Sequence, residues 1–297
     1  IIYVNMLTWP VAVVGWITSI VQQAEASQKR INNFLEEIPE IEDGERKIDN
    51  IIGNIEFKNI SLYYPETRIR SVNDISIKIS TGSTLGIIGK IGSGKSSFLE
   101  LISRFYDPDN GAIEIDGINI KDFSLEDLRK NIGYVPQNPF LFSETIEENI
   151  RFGSKNASID KIIDASKKAA IHKDIINFKK KYKTILGERG VTLSGGQIQR
   201  VSMARVFIKN PKILLLDDCL SAVDNDTEEI ILKNLKSISN KKTTIIVSHK
   251  ISSLKHADQI IVFENGKIVQ QGKHVELMGV EGYYKELFEK QQADEAK

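Results

Sequence analysis

Short apolar runs recur along the chain and are separated by amphipathic stretches. Three of them, at residues 85–88, 213–216 and 244–247, are built almost wholly from Leu, Ile and Val. Runs this short and apolar are typical of parallel strands that are buried on both faces. After the first run, Phe98, Leu99, Ile102 and Phe105 follow at helical spacing. The pattern therefore predicts an α/β fold with a parallel core sheet.

Residues typical of turns separate the remaining predicted strands and helices. Residues 53–64, 71–79 and 111–116, the last followed by the turn Asp116-Gly117, predict an antiparallel β lobe. Residues 259–272 predict a hairpin, because Asn265-Gly266 is the strongest short hairpin signal. Between about residues 138 and 193 the pattern indicates a helical subdomain inserted into the α/β fold.

The first 24 residues contain no Asp, Glu, Lys or Arg. About 20 such residues in a helix span a bilayer core, and Pro10 is tolerated in membrane helices. Lys29 and Arg30 follow this stretch, which favours a cytoplasmic exit. A buried or amphipathic soluble helix is the alternative. We expect a membrane helix and its extension over residues 1–38, a linker over 39–53, a globular domain over 54–290 and a tail over 291–297.

The composition of the chain argues against some classes of function. The 40 basic and 40 acidic residues leave no net charge, so nucleic-acid binding has no electrostatic support. One cysteine, Cys219, excludes a disulfide within the chain. No cluster of metal-ligand type stands out, and we expect any Mg²⁺ to arrive with a nucleotide.

A glycine-rich stretch follows the first apolar run and has the P-loop pattern G-x-x-x-x-G-K-[ST]. Its glycines let backbone N–H groups approach phosphate oxygens, its lysine adds a positive charge, and its serine hydroxyl suits Mg²⁺. The following helix adds its positive N-terminal end. The predicted phosphate-binding residues are Gly89, Lys90, Ile91, Gly92, Ser93, Gly94, Lys95, Ser96 and Ser97.

A second glycine-rich stretch, Leu193-Ser-Gly-Gly-Gln, precedes a helical pattern that ends at Asn210-Pro211. It resembles the signature of ABC-type ATPases, which bind ATP between two nucleotide-binding domains packed head to tail. The resemblance covers about residues 54–272 and implies the ABC ATPase form of the P-loop NTPase fold. It also implies that Ser194, Gly195, Gly196 and Gln197 face the ATP held by the partner's P-loop.

Other positions match the family pattern in order. Tyr64 resembles the residue that stacks on adenine, Gln137 the Q-loop glutamine that reaches Mg²⁺, and His249 the switch histidine. Asp217 closes an apolar run as the Walker B aspartate does, and residues 221–224 resemble the D-loop. The resemblance implies that Ser96, Gln137 and Asp217 hold Mg²⁺ and that Asp218, His249 and Gln137 are catalytic. Residues 187–190 resemble the loop by which exporters touch their membrane domain.

One position departs from the pattern. The family usually places glutamate after the Walker B aspartate, as the base that polarises the attacking water, and this chain has Asp218. A misplacement of about 1 Å can cost on the order of 100-fold in rate. Aspartate here resembles the degenerate half of asymmetric exporters, so we expect a heterodimer whose partner uses the intact signature of this chain. Because Gln137 and His249 are intact, a slow but active homodimer remains the alternative.

The N-terminal stretch resembles the last membrane helix of an ABC exporter. The resemblance therefore implies one half of a multi-pass cell-membrane exporter, with a cytoplasmic ATPase domain that contacts its own membrane domain and the lipid bilayer. We consider two other classes, a non-transport ABC ATPase and a regulatory ATP-binding module. The first is disfavoured by the lack of sustained heptads for coiled-coil arms.

Overall fold

A computed structural model describes residues 2–48, 50–187, 193–239 and 242–295. The chain divides into two units, Ile1–Glu42 and Asp43–Lys297. In the first unit, helix α1 (Ile2–Leu35) is 34 residues long, includes Pro10 and has no buried residue. Among the described helices, α1 alone is long and apolar enough to cross a membrane.

The second unit contains two sheets. An antiparallel sheet of four strands has the order β2-β1-β4-β5, and a sheet of six strands has the order β10-β9-β3-β8-β7-β6. The strands are β1 (Ile55–Tyr63), β2 (Arg70–Ile79), β3 (Thr84–Gly89), β4 (Asn110–Ile115), β5 (Ile118–Asn119), β6 (Ile132–Val135), β7 (Ile213–Asp217), β8 (Thr243–Val247), β9 (Gln259–Glu264) and β10 (Lys267–Gly272).

The predicted parallel core is confirmed, and two more strands extend it. β3 pairs in parallel with β8 and β9, and β7 pairs in parallel with β8 and β6. The predicted hairpin is β9–β10, which is antiparallel. β6 has only four residues and was not predicted.

Helices fill the connections between these strands. They are α2 (Lys95–Ile102), α3 (Leu125–Asn131), α4 (Ile146–Arg151), α5 (Ile159–Lys168), α6 (His172–Asn177), α7 (Gly195–Lys209), α8 (Asn225–Ile238), α9 (His274–Met278) and α10 (Tyr283–Glu295). Helices α4 to α6 lie within the predicted helical subdomain. Of residues 187–190, only Gly187 is among the described residues.

Successive side chains of the central strands point into two different cores. On β7, Leu214 and Leu216 belong to the core that α4, α5 and α7 complete. Ile213 and Leu215 belong to the core between the two sheets, where Phe57 of β1 stacks on Phe98 of α2 at 4.3 Å. This burial on both faces accounts for the uniformly apolar strands in the sequence.

The first residues of the second unit are bound to the rest of that unit. The Leu125 amide donates to Asp43 Oδ1 at 2.6 Å, and the Arg46 amide donates to the Asp122 carbonyl at 2.9 Å. Ile51 is buried in the core between the two sheets. The later part of the predicted linker is therefore packed against the domain from Asp43 onward.

Candidate functional site

The glycine-rich loop joins β3 to α2 and curls through conformations that favour glycine. Gly92 and Gly94 have φ angles of +76° and +102°. A Cβ atom on Gly94 would lie 2.1 Å from the Ser71 carbonyl oxygen, so no larger residue fits. The Gly266 amide of the β9–β10 turn donates to the Ser93 carbonyl at 2.9 Å and supports the loop from the other side.

The Lys95 side chain lies inside this loop. It is 7% exposed, and its Nζ donates to the carbonyls of Gly89 at 2.8 Å and Lys90 at 2.7 Å. Burial lowers the pKa of the Lys95 ammonium, while the charges of Asp217 and Asp218 oppose that shift. The structure therefore brings a buried lysine and two adjacent carboxylates to the same end of the central sheet.

The first carboxylate, Asp217, ends β7 and is 3% exposed. It accepts a hydrogen bond from the Tyr134 hydroxyl at 3.3 Å, and the Ser96 hydroxyl lies nearby. Burial raises the pKa of Asp217, and the Ser96 and Tyr134 hydroxyl groups oppose that effect. Two of the predicted metal ligands, Ser96 and Asp217, therefore lie close to each other.

The second carboxylate, Asp218, has a φ of +44°, a conformation that Asp adopts more readily than most residues. Its amide donates to the Val247 carbonyl at 3.0 Å, which fixes it against the end of β8. Its Oδ2 accepts from Gln137 Nε2 at 3.3 Å, so two residues that lie 81 positions apart are brought together.

These residues provide the kind of ligands that Mg²⁺ prefers. The Ser96 hydroxyl, the Asp217 carboxylate and the Gln137 amide are hard oxygen donors. Gln137 uses its nitrogen toward Asp218, which leaves its oxygen available to a cation. Within the described part of the chain, no group of three or more His, Cys, Asp or Glu could hold a metal ion. The arrangement therefore fits an ion that nucleotide phosphates help to bind.

Tyr64 lies just after β1 and reaches the same region. Its hydroxyl is 2.7 Å from Ser97 Oγ, and its ring meets Tyr106 edge-on at 5.4 Å. The predicted adenine-stacking residue is therefore held beside the first turn of α2.

The second glycine-rich stretch lies at the start of α7. Ser194 caps the helix by accepting from the Gln197 amide at 3.3 Å, and Gln197 Oε1 accepts from the Ser194 amide at 3.0 Å. This capping box explains why the helix starts here. Among the described residues, none of the side chains from Gly89 to Ser97 hydrogen-bonds to residues 194–197. Within the described part of the chain, no hydrogen bond therefore joins the two glycine-rich stretches.

His249 follows β8 and is partly exposed. Its imidazole has no hydrogen-bond partner among the residues that the structure describes. Its carbonyl accepts from Gln291 Nε2 of α10 at 2.7 Å.

Sequence reasoning missed residues that hold this site. Gln199 is buried on α7, and its side chain contacts the Ser221 hydroxyl at 3.3 Å and the Ala222 amide at 3.2 Å. It therefore fixes the loop after β7 to the start of α7. Tyr134 lies three residues before Gln137, and an aromatic residue so close to a predicted ligand was an available signal. No sequence pattern near Gln291 indicated its role.

Comparison with known proteins identifies the family. A profile of the ABC transporter family matches residues 72–221, about half of the chain. Over 293 residues the chain is 44% identical to "Uncharacterized ABC transporter ATP-binding protein YknU" of Bacillus subtilis (strain 168), covering 98% of this chain and 50% of that protein. Over 288 residues it is 42% identical to "Putative multidrug export ATP-binding/permease protein YgaD" of the same organism, covering 96% of this chain and 50% of that protein.

A solved structure is also similar. "Structure of a bacterial Atm1-family ABC exporter with ATP bound" superposes with a TM-score of 0.88 at 34% identity, over 97% of this chain and 51% of that one. The chain spans about half the length of the curated relatives described above. From its glycine-rich loops, its paired sheets and these matches, we conclude that the chain belongs to the ABC transporter family.

Proposed function

We propose that this chain is the ATP-binding and ATP-hydrolysing part of a membrane exporter. The convergence of Lys95, Ser96, Gln137, Asp217 and Asp218 at one end of the parallel sheet carries the proposal. A buried cation and hydroxyl groups suit nucleotide phosphates, and the oxygen donors suit Mg²⁺. The relatives' names and the exporter structure support transport as the process that ATP drives.

Each residue has a role in this proposal. Tyr64 would move from Ser97 to stack on adenine, and residues 89–97 would bind the phosphates. Ser96, Gln137 and Asp217 would hold Mg²⁺, which when bound neutralises phosphate charge. Asp218 would orient the attacking water, and the His249 imidazole would contact the terminal phosphate.

The site is proposed to be completed by a second domain packed head to tail. Two observations support this. Ser194 and Gly195 are exposed at the positive N-terminal end of α7, and among the described residues neither forms a hydrogen bond with residues 89–97. The matching ATP site would therefore use the P-loop of a partner domain.

We further propose that this chain is the half with the weakened hydrolysis site in a heterodimer. Asp218 is one methylene shorter than the glutamate expected there, while Gly195 and Gly196 are intact for the partner. Helix α1 would be the end of the last membrane helix, with the ATPase domain in the cytoplasm. A slow homodimer is the second candidate, which the intact Gln137 and His249 favour.

The test uses the full-length protein in lipid nanodiscs. We expect Mg²⁺-dependent ATP binding and slow hydrolysis, both lost in Lys95→Ala and both retained in Lys179→Ala, an exposed lysine outside the site. A protein that does not bind ATP, or that binds it equally well after Lys95→Ala, contradicts the proposal.

Dimers formed from two different variants distinguish the heterodimer from the homodimer. If the protein is a homodimer, co-expressed Lys95→Ala and Gly195→Ala chains form dimers with one fully intact site, and hydrolysis recovers to a substantial fraction of wild type. If it is a heterodimer, the mixture hydrolyses ATP no faster than either variant alone, and fast hydrolysis needs a different chain.

A further inference from the structure

The loop that follows β8 is held from two sides. On the first side, α8 holds Lys250, whose Nζ donates to Glu228 Oε2 at 2.7 Å and to Asn225 Oδ1 at 3.2 Å. The Lys250 amide also donates to Ser248 Oγ at 3.0 Å. Glu228 is 3% exposed, so the Lys250 ammonium is paired with a buried carboxylate.

On the second side, one residue of α10 holds the backbone around Lys250. Gln291 Nε2 donates to the His249 carbonyl at 2.7 Å, and Gln291 Oε1 accepts from the Ile251 amide at 2.9 Å. A carboxamide carries a donor and an acceptor in one plane, which a carboxylate or an amine does not. Gln291 therefore fixes the peptide groups on both sides of Lys250.

Helix α10 is itself anchored to the domain. Tyr284 is fully buried, its hydroxyl lies 2.9 Å from His274 Nδ1, and its amide donates to Gln270 Oε1 at 3.2 Å. Lys90 of the P-loop lies over the Tyr283 ring at 5.8 Å from its centroid. A helix fixed in this way is a rigid support for the loop that it contacts.

We propose that Gln291 is a positioning residue for His249 in ATP hydrolysis. The contacts explain how: Gln291 fixes the backbone of His249, while the His249 imidazole has no partner among the described residues and can turn toward a ligand. Helix α10 thereby keeps His249 in position beside the nucleotide site. This inference rests on the role proposed above for His249.

The test compares two neighbouring glutamines in the full-length protein. Gln291→Ala removes both hydrogen bonds, whereas Gln292→Ala removes the same side chain from an exposed position on the same helix. We expect Gln291→Ala to lower kcat for ATP about 10-fold, the effect of losing about 1.4 kcal/mol of transition-state stabilisation, with KM within about 2-fold. Gln292→Ala should match wild type. Equal kcat for the two variants overturns the inference.

A double-mutant cycle separates positioning from a general structural effect. If Gln291 acts through His249, then Gln291→Ala causes no further loss in a His249→Ala background. An equal further loss in that background overturns the inference. Gln291→Glu keeps the length and the acceptor but loses the donor to the His249 carbonyl, and we expect it to behave like Gln291→Ala. It provides the same test if the alanine variant does not fold.

A second readout does not depend on hydrolysis. Hydrogen exchange of the Ile251 amide should be faster in Gln291→Ala than in Gln292→Ala, because its acceptor is removed. Unchanged exchange means that Gln291 does not hold the loop, and the inference fails whatever the enzyme does. An inactive wild-type protein with the expected exchange difference means instead that the proposed function fails.

Discussion

Gln137 Nε2 donates a hydrogen bond to Asp218 Oδ2 at 3.3 Å, which connects the segment after β6 to the end of β7. This distance is slightly longer than the usual range for N–H···O bonds. Asp218 is also fixed through its backbone, because its amide donates to the Val247 carbonyl. A short carboxylate on a fixed backbone has little freedom to move closer to a bound nucleotide, which agrees with the proposed weak hydrolysis.

The two adjacent glycines of the second loop should respond differently to alanine. A Cβ on Gly196 would lie 2.5 Å from the Ala222 carbonyl oxygen, whereas a Cβ on Gly195 would meet only Ala222 Cβ at 3.6 Å. We expect Gly196→Ala to destabilise the protein by about 1–3 kcal/mol. Gly195→Ala should keep wild-type stability and still lose ATP hydrolysis. Thermal unfolding and ATPase assays of both variants check this, and equal stability of the two variants contradicts it.

Glu100 on α2 should make stability depend on pH. Burial raises the pKa of Glu100, with a further contribution from Asp217. Because its folded-state pKa is raised, its contribution to stability is present below about pH 4 and is lost as the pH rises through the raised value. Glu100→Gln should therefore gain stability relative to wild type between pH 4.5 and 7.5.

Because solvent partly screens Glu100, we expect a gain on the order of 1–2 °C in the unfolding midpoint of the nucleotide-free protein. Glu229→Gln, an exposed residue on α8, serves as the control. A pH dependence that is the same in wild type and Glu100→Gln would show that this carboxyl group contributes none of it.

Arg205 should be a stabilising residue that lysine cannot replace. Its guanidinium donates to Asn149 O at 2.8 Å, Asn149 Oδ1 at 2.9 Å and Phe140 O at 2.9 Å. Burial lowers the pKa of Arg205 to about 10. A lysine cannot make this planar set of bonds, so we expect Arg205→Lys to lose about 2–4 kcal/mol of unfolding free energy.

Denaturant unfolding of Arg205→Lys beside Arg68→Lys, an exposed arginine, measures this loss. The account of Arg205 is wrong if both variants unfold at the same denaturant concentration as wild type.

Much of the fold could be predicted because its signals are local. The run before Gly89, the cap at Ser194 and the turn at Asn265-Gly266 each depend on a few adjacent residues. β6 was missed because four residues give too short a pattern, and its place beside β7 depends on distant pairing.

The candidate site, like the fold, could be predicted only where its features are local. The ligand types are visible in the sequence, but their contacts are not. The bond from Gln291 to His249 spans 42 residues, and that from Gln199 to Ser221 spans 22. Both depend on how helices pack on the sheet, which no local pattern specifies. The same is true of the support that Gly266 gives to Ser93.

The central claim is that Asp218 limits hydrolysis at this site. The most direct measurement is Mg-ATP hydrolysis by the full-length protein, purified without any partner, beside its Asp218→Glu variant. We expect the wild-type protein to bind ATP while hydrolysing it very slowly, and the glutamate variant to gain about 100-fold. If the wild-type protein already turns over as fast as Asp218→Glu, Asp218 is an adequate base and the weakened-site account is wrong.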